Sequence, residues 1–289
     1  MRSFLFVPAD SEKKLAKGLA SAADALILDL EDSVVADRKP LAREMARQFL
    51  AEHAGQIPRP SCVVRINARD TGLIDSDLDA VMPSRPDAVM LPKAEGGGDV
   101  SYLDAQLTLR EQGHGIPIGH TRIIVVATET ARAIFQLGTY AGASERLSGL
   151  TWGAEDLAAD IGSEARRDAE GRYLEPFRLA RSLCLFGAVA AGAQPIDAVY
   201  PPFQDIDGLR RECEEARRDG FTGKMAIHPA QIDIINAVFT PSDAAIRDAE
   251  AVIAAFAANP TAGAVSLNGR MLDMPHLKGA QRLLARIKR

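Results

Sequence analysis

The sequence predicts an α/β protein: a closed (β/α)₈ TIM barrel followed by a C-terminal helical extension. Three observations carry that reading. Eight short apolar runs recur along the chain, helical stretches separate them, and no GxGxxG turn marks a dinucleotide-binding open sheet. The runs lie at residues 3–8, 25–30, 62–67, 88–93, 123–128, 147–153, 198–202 and 224–228. They are apolar throughout rather than alternating, which is the pattern of parallel strands covered on both faces. Strand–helix alternation with right-handed crossovers closes such strands into a barrel or lays them in an open sheet, and eight units favour closure.

The helical stretches are clearest at 12–23, 41–53, 100–112, 131–141, 177–191 and 208–218, with Asp10 or Ser11 as N-cap of the first. Another amphipathic helix is expected at 242–258, capped by Ser242. A break at Asn259-Pro260-Thr261-Ala262-Gly263 follows, then a small helix at about 275–288. The expected division is a barrel at 1–240 and an extension at 241–289. The extension looks too short for a core of its own, so a partner surface is expected for it.

Composition narrows the class. Apolar residues make up 47% of the 289 positions, enough for one large core of barrel size. The formal net charge is −5 with Lys and Arg dispersed, which excludes a basic nucleic-acid groove or membrane face. Cys62, Cys184 and Cys213 are odd in number and form no CxxC pair, which argues for a reducing compartment and against zinc. The five-residue apolar run near the N-terminus is too short for a signal peptide. The stretch at 183–193 falls well below the ~20 residues of a membrane span. A cytoplasmic protein is expected.

Barrel enzymes work at the C-terminal ends of their strands. Here those ends turn polar together, at Asp29-Leu30-Glu31-Asp32, Arg65-Ile66-Asn67, Lys93, Glu129, Glu155-Asp156 and His228. Alternation puts Ile27, Asp29 and Glu31 on one face, Val63, Arg65 and Asn67 on another, and Val125, Ala127 and Glu129 on a third. Any one acidic residue is readily explained as a cap or a surface ion pair. Acidic groups converging with one Arg and one Lys call for more, because buried charge is costly unless paired or metal-bound. Clustered carboxylates without HxH or CxxC favour a hard cation, Mg²⁺ or Mn²⁺. His53, His114, His120, His228 and His276 are scattered; only His228 falls at a strand end, where a structural role is the simpler reading.

The stretches FVPADSEKKLAKG, ALILDLEDSV, VVRIN, AVMLPKAE, VVATETARA, LTWGAEDLAADIG and GFTGKMAIHPAQIDIIN resemble, in order and over nearly the whole chain, the citrate lyase β-subunit-like family of HpcH/HpaI-type aldolase barrels, which includes malyl-CoA and citramalyl-CoA lyases. The resemblance implies Glu129 of the ATET motif and Asp156 of GAEDL as ligands of Mg²⁺, with Mn²⁺ as its substitute. It implies Arg65 and Glu129 as substrate-binding, and Glu31 and Asp32 of DLED as supports of metal-bound water. Lys14 and Lys17 would meet CoA phosphates, although a solvated helix face accounts for them too. Relatives often carry Gly-Asn-Arg where this chain has Ala9-Asp10-Ser11. The segment GRMLDMPHLKGAQRLL resembles the lid of the CoA lyases, whose Asp completes a neighbouring subunit's site; it matches Asp273, which would otherwise only cap the last helix.

The implied reaction is Mg²⁺-dependent cleavage of a 3-hydroxyacyl-CoA, of malyl-CoA or citramalyl-CoA type, to acetyl-CoA and a 2-oxo acid by a homotrimer or homohexamer. The competing expectations are a citrate lyase β subunit acting on a citryl-acyl-carrier protein, a malate-synthase-like or thioesterase variant, and a non-catalytic CoA-metabolite sensor.

Overall fold

A computed structural model describes residues 1–287. Eight parallel strands close on themselves in sequence order: β1 (Ser3–Pro8), β2 (Ala25–Asp29), β3 (Ser61–Arg65), β4 (Ala88–Leu91), β5 (Arg122–Val126), β6 (Leu147–Thr151), β7 (Gln194–Asp197) and β8 (Gly223–Ala226), with β8 pairing back to β1. Between them run α1 (Glu12–Leu19), α2 (Lys39–His53), α3 (Ile74–Val81), α4 (Gly97–Gly113), α5 (Ala131–Ile134), α6 (Glu155–Asp160), α7 (Glu175–Ala190) and α8 (Ile206–Asp219), and α9 (Ile232–Phe239) follows β8. The expected barrel is present.

Every second residue of a strand points inward. The interior is packed by Phe4, Ala25, Ile27, Val63, Ala88, Met90, Ile124, Val126, Ile196 and Met225. The same alternation carries Asp29 one step above Ile27 and Arg65 one step above Val63. The inner wall thus changes from aliphatic to charged within one pleat.

Several expected boundaries differ, for physical reasons. The seventh strand is Gln194–Asp197 rather than 198–202. Polar Gln194 and ring-locked Pro195 disguise it, whereas the apolar residues after it lie beyond the last strand pairing. Strand β5 stops at Val126, and the interior takes Ile124 and Val126. Glu129 therefore reaches the rim from the loop beyond, not by the alternation of Val125 and Ala127. Asn67 also lies past its strand; its backbone N–H and its side-chain amide both donate to Asp77 Oδ2 at 2.7 Å, on α3, which was not expected from the periodicity. The stretch expected as one helix at 131–141 is split into α5 and a 3₁₀ turn at Leu137–Tyr140. Ser11 holds the N-cap position of α1 without a side-chain capping bond, and Asp10 instead accepts from Arg38 Nε at 2.6 Å.

Lys224 is fully enclosed. The Lys224 ammonium donates to Asp197 Oδ2 at 2.5 Å and Glu212 Oε1 at 2.9 Å, while Asp197 Oδ1 accepts from Trp152 Nε1 at 2.8 Å. Complete pairing is what lets a lysine remain charged there.

The chain divides into two compact units, residues Met1–Ala237 and Val238 onward. In the second, α10 (Asp243–Ala257) begins at Ser242, whose hydroxyl accepts from Ala245 N–H. A hairpin of β9 (Ala264–Leu267) and β10 (Arg270–Asp273) then leads into α11 (Met274–Ala285). The expected helix at 275–288 is thus one residue earlier at its start, and Lys288 lies outside the described residues. The hairpin corrects the expectation that this tail lacks a core. It brings Val265 and Leu272 onto Ala249, Val252, Phe256 and Ala280, which form a small apolar cluster of their own. Its turn is Asn268-Gly269 with both φ values positive, the geometry that favours this dipeptide between antiparallel strands.

Candidate active site

The C-terminal rim of the barrel gathers charge. Asp29 and Arg65 are register partners on adjacent parallel strands. Arg65 Nε donates to Asp29 Oδ1 and Nη2 to Oδ2, each at 2.7 Å, a two-pronged pair. Asp29 is 1% exposed and also accepts the backbone N–H groups of Glu31 and Ser33. Burial opposes its charge, yet the Arg65 guanidinium and these donors hold its carboxyl below the usual range. Burial likewise opposes the charge on Arg65, and Asp29 and Glu31 more than restore it. The guanidinium lies 4.8 Å from the Phe6 ring centre, so it is fixed from three sides.

Glu31 is nearly buried. Its Oε1 accepts from the Lys93 ammonium, and its Oε2 lies 2.9 Å from Arg65 Nη1 without a well-formed hydrogen bond. Burial raises its carboxyl despite Arg65. The Lys93 ammonium also meets Asp32 Oδ2 at 3.1 Å and Asp156 Oδ1 at 3.5 Å. Its backbone is held at φ +50°, in the left-handed region a lysine seldom occupies. That conformation directs the Lys93 N–H to Glu129 Oε2 at 2.5 Å. Burial pushes the Glu129 carboxyl up to about 8 against that bond, and the nearby Asp156 and Glu31 carboxylates add to the rise.

Glu129 stands against a glycine. A Cβ on Gly153 would lie 3.1 Å from Glu129 Cγ, and Gly153 N–H donates to Thr128 Oγ1 at 3.1 Å, tying the two loops together. Asp156 occupies the first turn of α6 and is partly open to solvent.

The structure thus brings Arg65, Glu129, Asp156, Glu31 and Asp32 to one rim, together with Asp29 and Lys93, to which the sequence reading gave no role. Lys14 and Lys17 are solvent-exposed on α1, the helix that leaves the end of β1. Glu155 pairs with Arg166 on the surface. His228 stacks on Phe203, and its Nδ1 accepts from Ala230 N–H, a structural role. In the second unit, Asp273 precedes α11, is about half exposed, and lies 2.5 Å from His276 Nδ1.

The donor set fits a hard divalent cation. Asp29, Glu31, Asp32, Glu129 and Asp156 supply five carboxyl groups against two cationic side chains, Arg65 and Lys93. Among the described residues no three His, Cys, Asp or Glu side chains close a complete cage. Mg²⁺ keeps several waters and is commonly held by only one or two carboxylates.

A closed barrel with this polyanionic mouth is the framework of a barrel enzyme, and the kinships of the chain agree. The model of the HpcH/HpaI aldolase/citrate lyase family matches residues 2–229. A (3S)-malyl-CoA thioesterase of Cereibacter sphaeroides is 36% identical over 99% of this chain and 94% of its own length. A mitochondrial citramalyl-CoA lyase of Rattus norvegicus is 33% identical over 98% and 85%. Among solved structures, CitE of Mycobacterium tuberculosis in complex with magnesium, acetoacetate and coenzyme A superposes with a TM-score of 0.76 at 35% identity, covering 100% of this chain and 98% of that one. The chain belongs to the HpcH/HpaI aldolase/citrate lyase family, and the protein is an enzyme of the lyase and aldolase type. Among the described residues no helix is long and apolar enough to cross a membrane.

Proposed function

We propose that the protein is a Mg²⁺-dependent carbon–carbon lyase that cleaves a 3-hydroxyacyl-CoA of malyl-CoA or citramalyl-CoA type to acetyl-CoA and a 2-oxo acid. The observation that carries this reading is the rim itself, where Glu129 and Asp156 share one lysine beside an arginine locked on Asp29. Glu129 and Asp156 would hold the cation, with Glu31 and Asp32 supporting its waters. When bound, Mg²⁺ supplies Lewis acidity and a template for substrate carboxylate and hydroxyl oxygens.

The chain's own groups account for the rest. The bond that breaks joins the carbinol carbon to the carbon next to the thioester. The hydroxyl passes its proton to solvent and its oxygen becomes the keto oxygen, while the electron pair of the breaking bond passes to the acetyl carbon, which gains a proton. Arg65 retains N–H hydrogens beyond those given to Asp29, and it offers them to the oxygen where negative charge accumulates. Its orientation is set before substrate arrives, the condition under which such donors are most effective. Asp273 delivers the proton to the acetyl carbon, and Lys14 and Lys17 meet the CoA phosphates.

The thioesterase named above gives a second reading specific support: the same site would release free CoA by hydrolysis. The deciding experiment supplies malyl-CoA, citramalyl-CoA and citryl-CoA with Mg²⁺ to the purified protein. Acetyl-CoA with a 2-oxo acid supports the lyase; free CoA with intact malate or citramalate supports the thioesterase; no turnover of any free thioester rejects both.

A further inference from the structure

Lys93 touches both residues assigned to the cation. Its backbone N–H holds Glu129, and its ammonium reaches Asp156 at 3.5 Å while also contacting Glu31 and Asp32 at the same time. No other side chain among the described residues is recorded contacting all three of Glu31, Asp32 and Asp156. Four carboxyl groups crowd together here; Arg65 meets Glu31, and the Lys93 ammonium meets Glu31, Asp32 and Asp156 together. With a metal, the lysine and the cation would compete for Asp156.

We propose that Lys93 is a built-in counter-ion to the carboxylates of the metal site, is partly displaced from Asp156 when a divalent cation binds, and so sets the metal affinity of the enzyme. This rests on the metal reading of Glu129 and Asp156 given above. The ammonium releases Asp156, the longest of its contacts, and keeps Glu31 and Asp32. Two positive centres then share a carboxylate-lined rim, and their repulsion weakens cation binding relative to a site with a neutral residue at 93. The coupling is reciprocal: whatever Lys93 subtracts from metal affinity, the metal subtracts from the hold on Lys93. A site built this way gives up its metal more easily than one with a neutral residue at 93.

The test is Mn²⁺ binding, followed by electron paramagnetic resonance, to the wild-type chain, Lys93→Met and Lys93→Arg. Methionine keeps the Cβ, the unbranched stem and the N–H bond to Glu129. Lys93→Met should bind Mn²⁺ more tightly by roughly 5–150-fold, the usual span of such couplings, and Lys93→Arg, which keeps the charge, should not tighten. If metal-free Lys93→Met proves unstable, its rise in Tm on adding Mn²⁺ must exceed that of the wild type. Equal or weaker Mn²⁺ binding by Lys93→Met, or a Tm rise no larger than wild type, overturns the proposal and leaves the metal reading intact. An unchanged Mn²⁺ affinity with a raised KM for the thioester overturns it in favour of substrate contact. Failure of the wild type to bind Mn²⁺ overturns the metal reading, and this inference with it.

Discussion

Arg65 and Asp29 face each other in register across β3 and β2, joined by two 2.7 Å hydrogen bonds at the top of the barrel interior. The pair determines where a buried guanidinium points. Lysine cannot reproduce a planar fork that grips Asp29 with one edge and offers N–H groups from another. Arg65→Lys is therefore expected to lower kcat by about 10²–10³-fold, with the fold intact by circular dichroism. A lysine variant of near-normal kcat would reduce Arg65 to a source of bulk charge.

Asp29 makes a separate demand. Removing one partner of a buried pair leaves the other uncompensated, at a cost of roughly 3–5 kcal/mol. Here Glu31 remains beside Arg65, so Asp29→Asn should fall at or below the low end of that range, and Tm should drop measurably. The mobilised Arg65 should also lower kcat more than it raises KM. A variant of unchanged kcat and Tm would contradict the clamp.

Metal dependence follows from Glu129 and Asp156. Chelation should abolish turnover, and added Mg²⁺ should restore it. Glu129→Ala and Asp156→Ala should remain folded and lose metal binding, which calorimetric titration with Mg²⁺ reads directly. Full activity in excess chelator would reject the assignment.

Gly153 offers a subtler probe of the same site. A Cβ there would sit 3.1 Å from Glu129 Cγ, tighter than ordinary contact, so one of the two must shift by a few tenths of an ångström. Gly153→Ala should weaken Mg²⁺ binding and lower activity without removing any charged group. Wild-type affinity in this variant would show that Glu129 has slack.

How much of this was legible beforehand depends on which signal each residue obeys. Asp29 and Arg65 follow strand alternation one pleat above Ile27 and Val63, so both were placed by periodicity. Glu129 and Asp156 lie past their strands, in a loop and in the first turn of a short helix, where no periodicity applies; the strand-end reading placed both among the polar rim residues, and the family resemblance gave them the metal role. Lys93 was visible as a strand-end lysine, but its contact with three carboxylates is a tertiary arrangement, and its positive φ falls on a residue type that seldom adopts it. The Asn268-Gly269 hairpin was readable from its dipeptide, yet the sequence reading passed from the break at 259–263 straight to the last helix. Strand β7 was hidden by Gln194 and Pro195, while the apolar run just after it mimicked a strand better than the strand itself.

The last prediction concerns Asp273. It is about half exposed before α11 and paired with His276, and the neighbouring Met271 is 81% exposed. An exposed methionine beside an exposed carboxylate suits a surface that another subunit covers, in line with the lid segment the sequence resembles. Asp273→Asn should keep metal and substrate binding but stop hydrogen exchange at the acetyl carbon, because an amide cannot carry a proton at neutral pH. Action across a subunit boundary makes the sharper demand. Inactive Asp273→Asn chains mixed with inactive Glu129→Ala chains and reassembled should recover part of the activity, each working site taking its cation ligands from one chain and its acid from the other. Random mixing in a ring allows only a minority of sites to combine both intact halves, so recovery should be partial and should rise with the fraction of mixed oligomers. If mixed oligomers form and no activity returns, Asp273 either serves its own barrel or takes no part in the reaction.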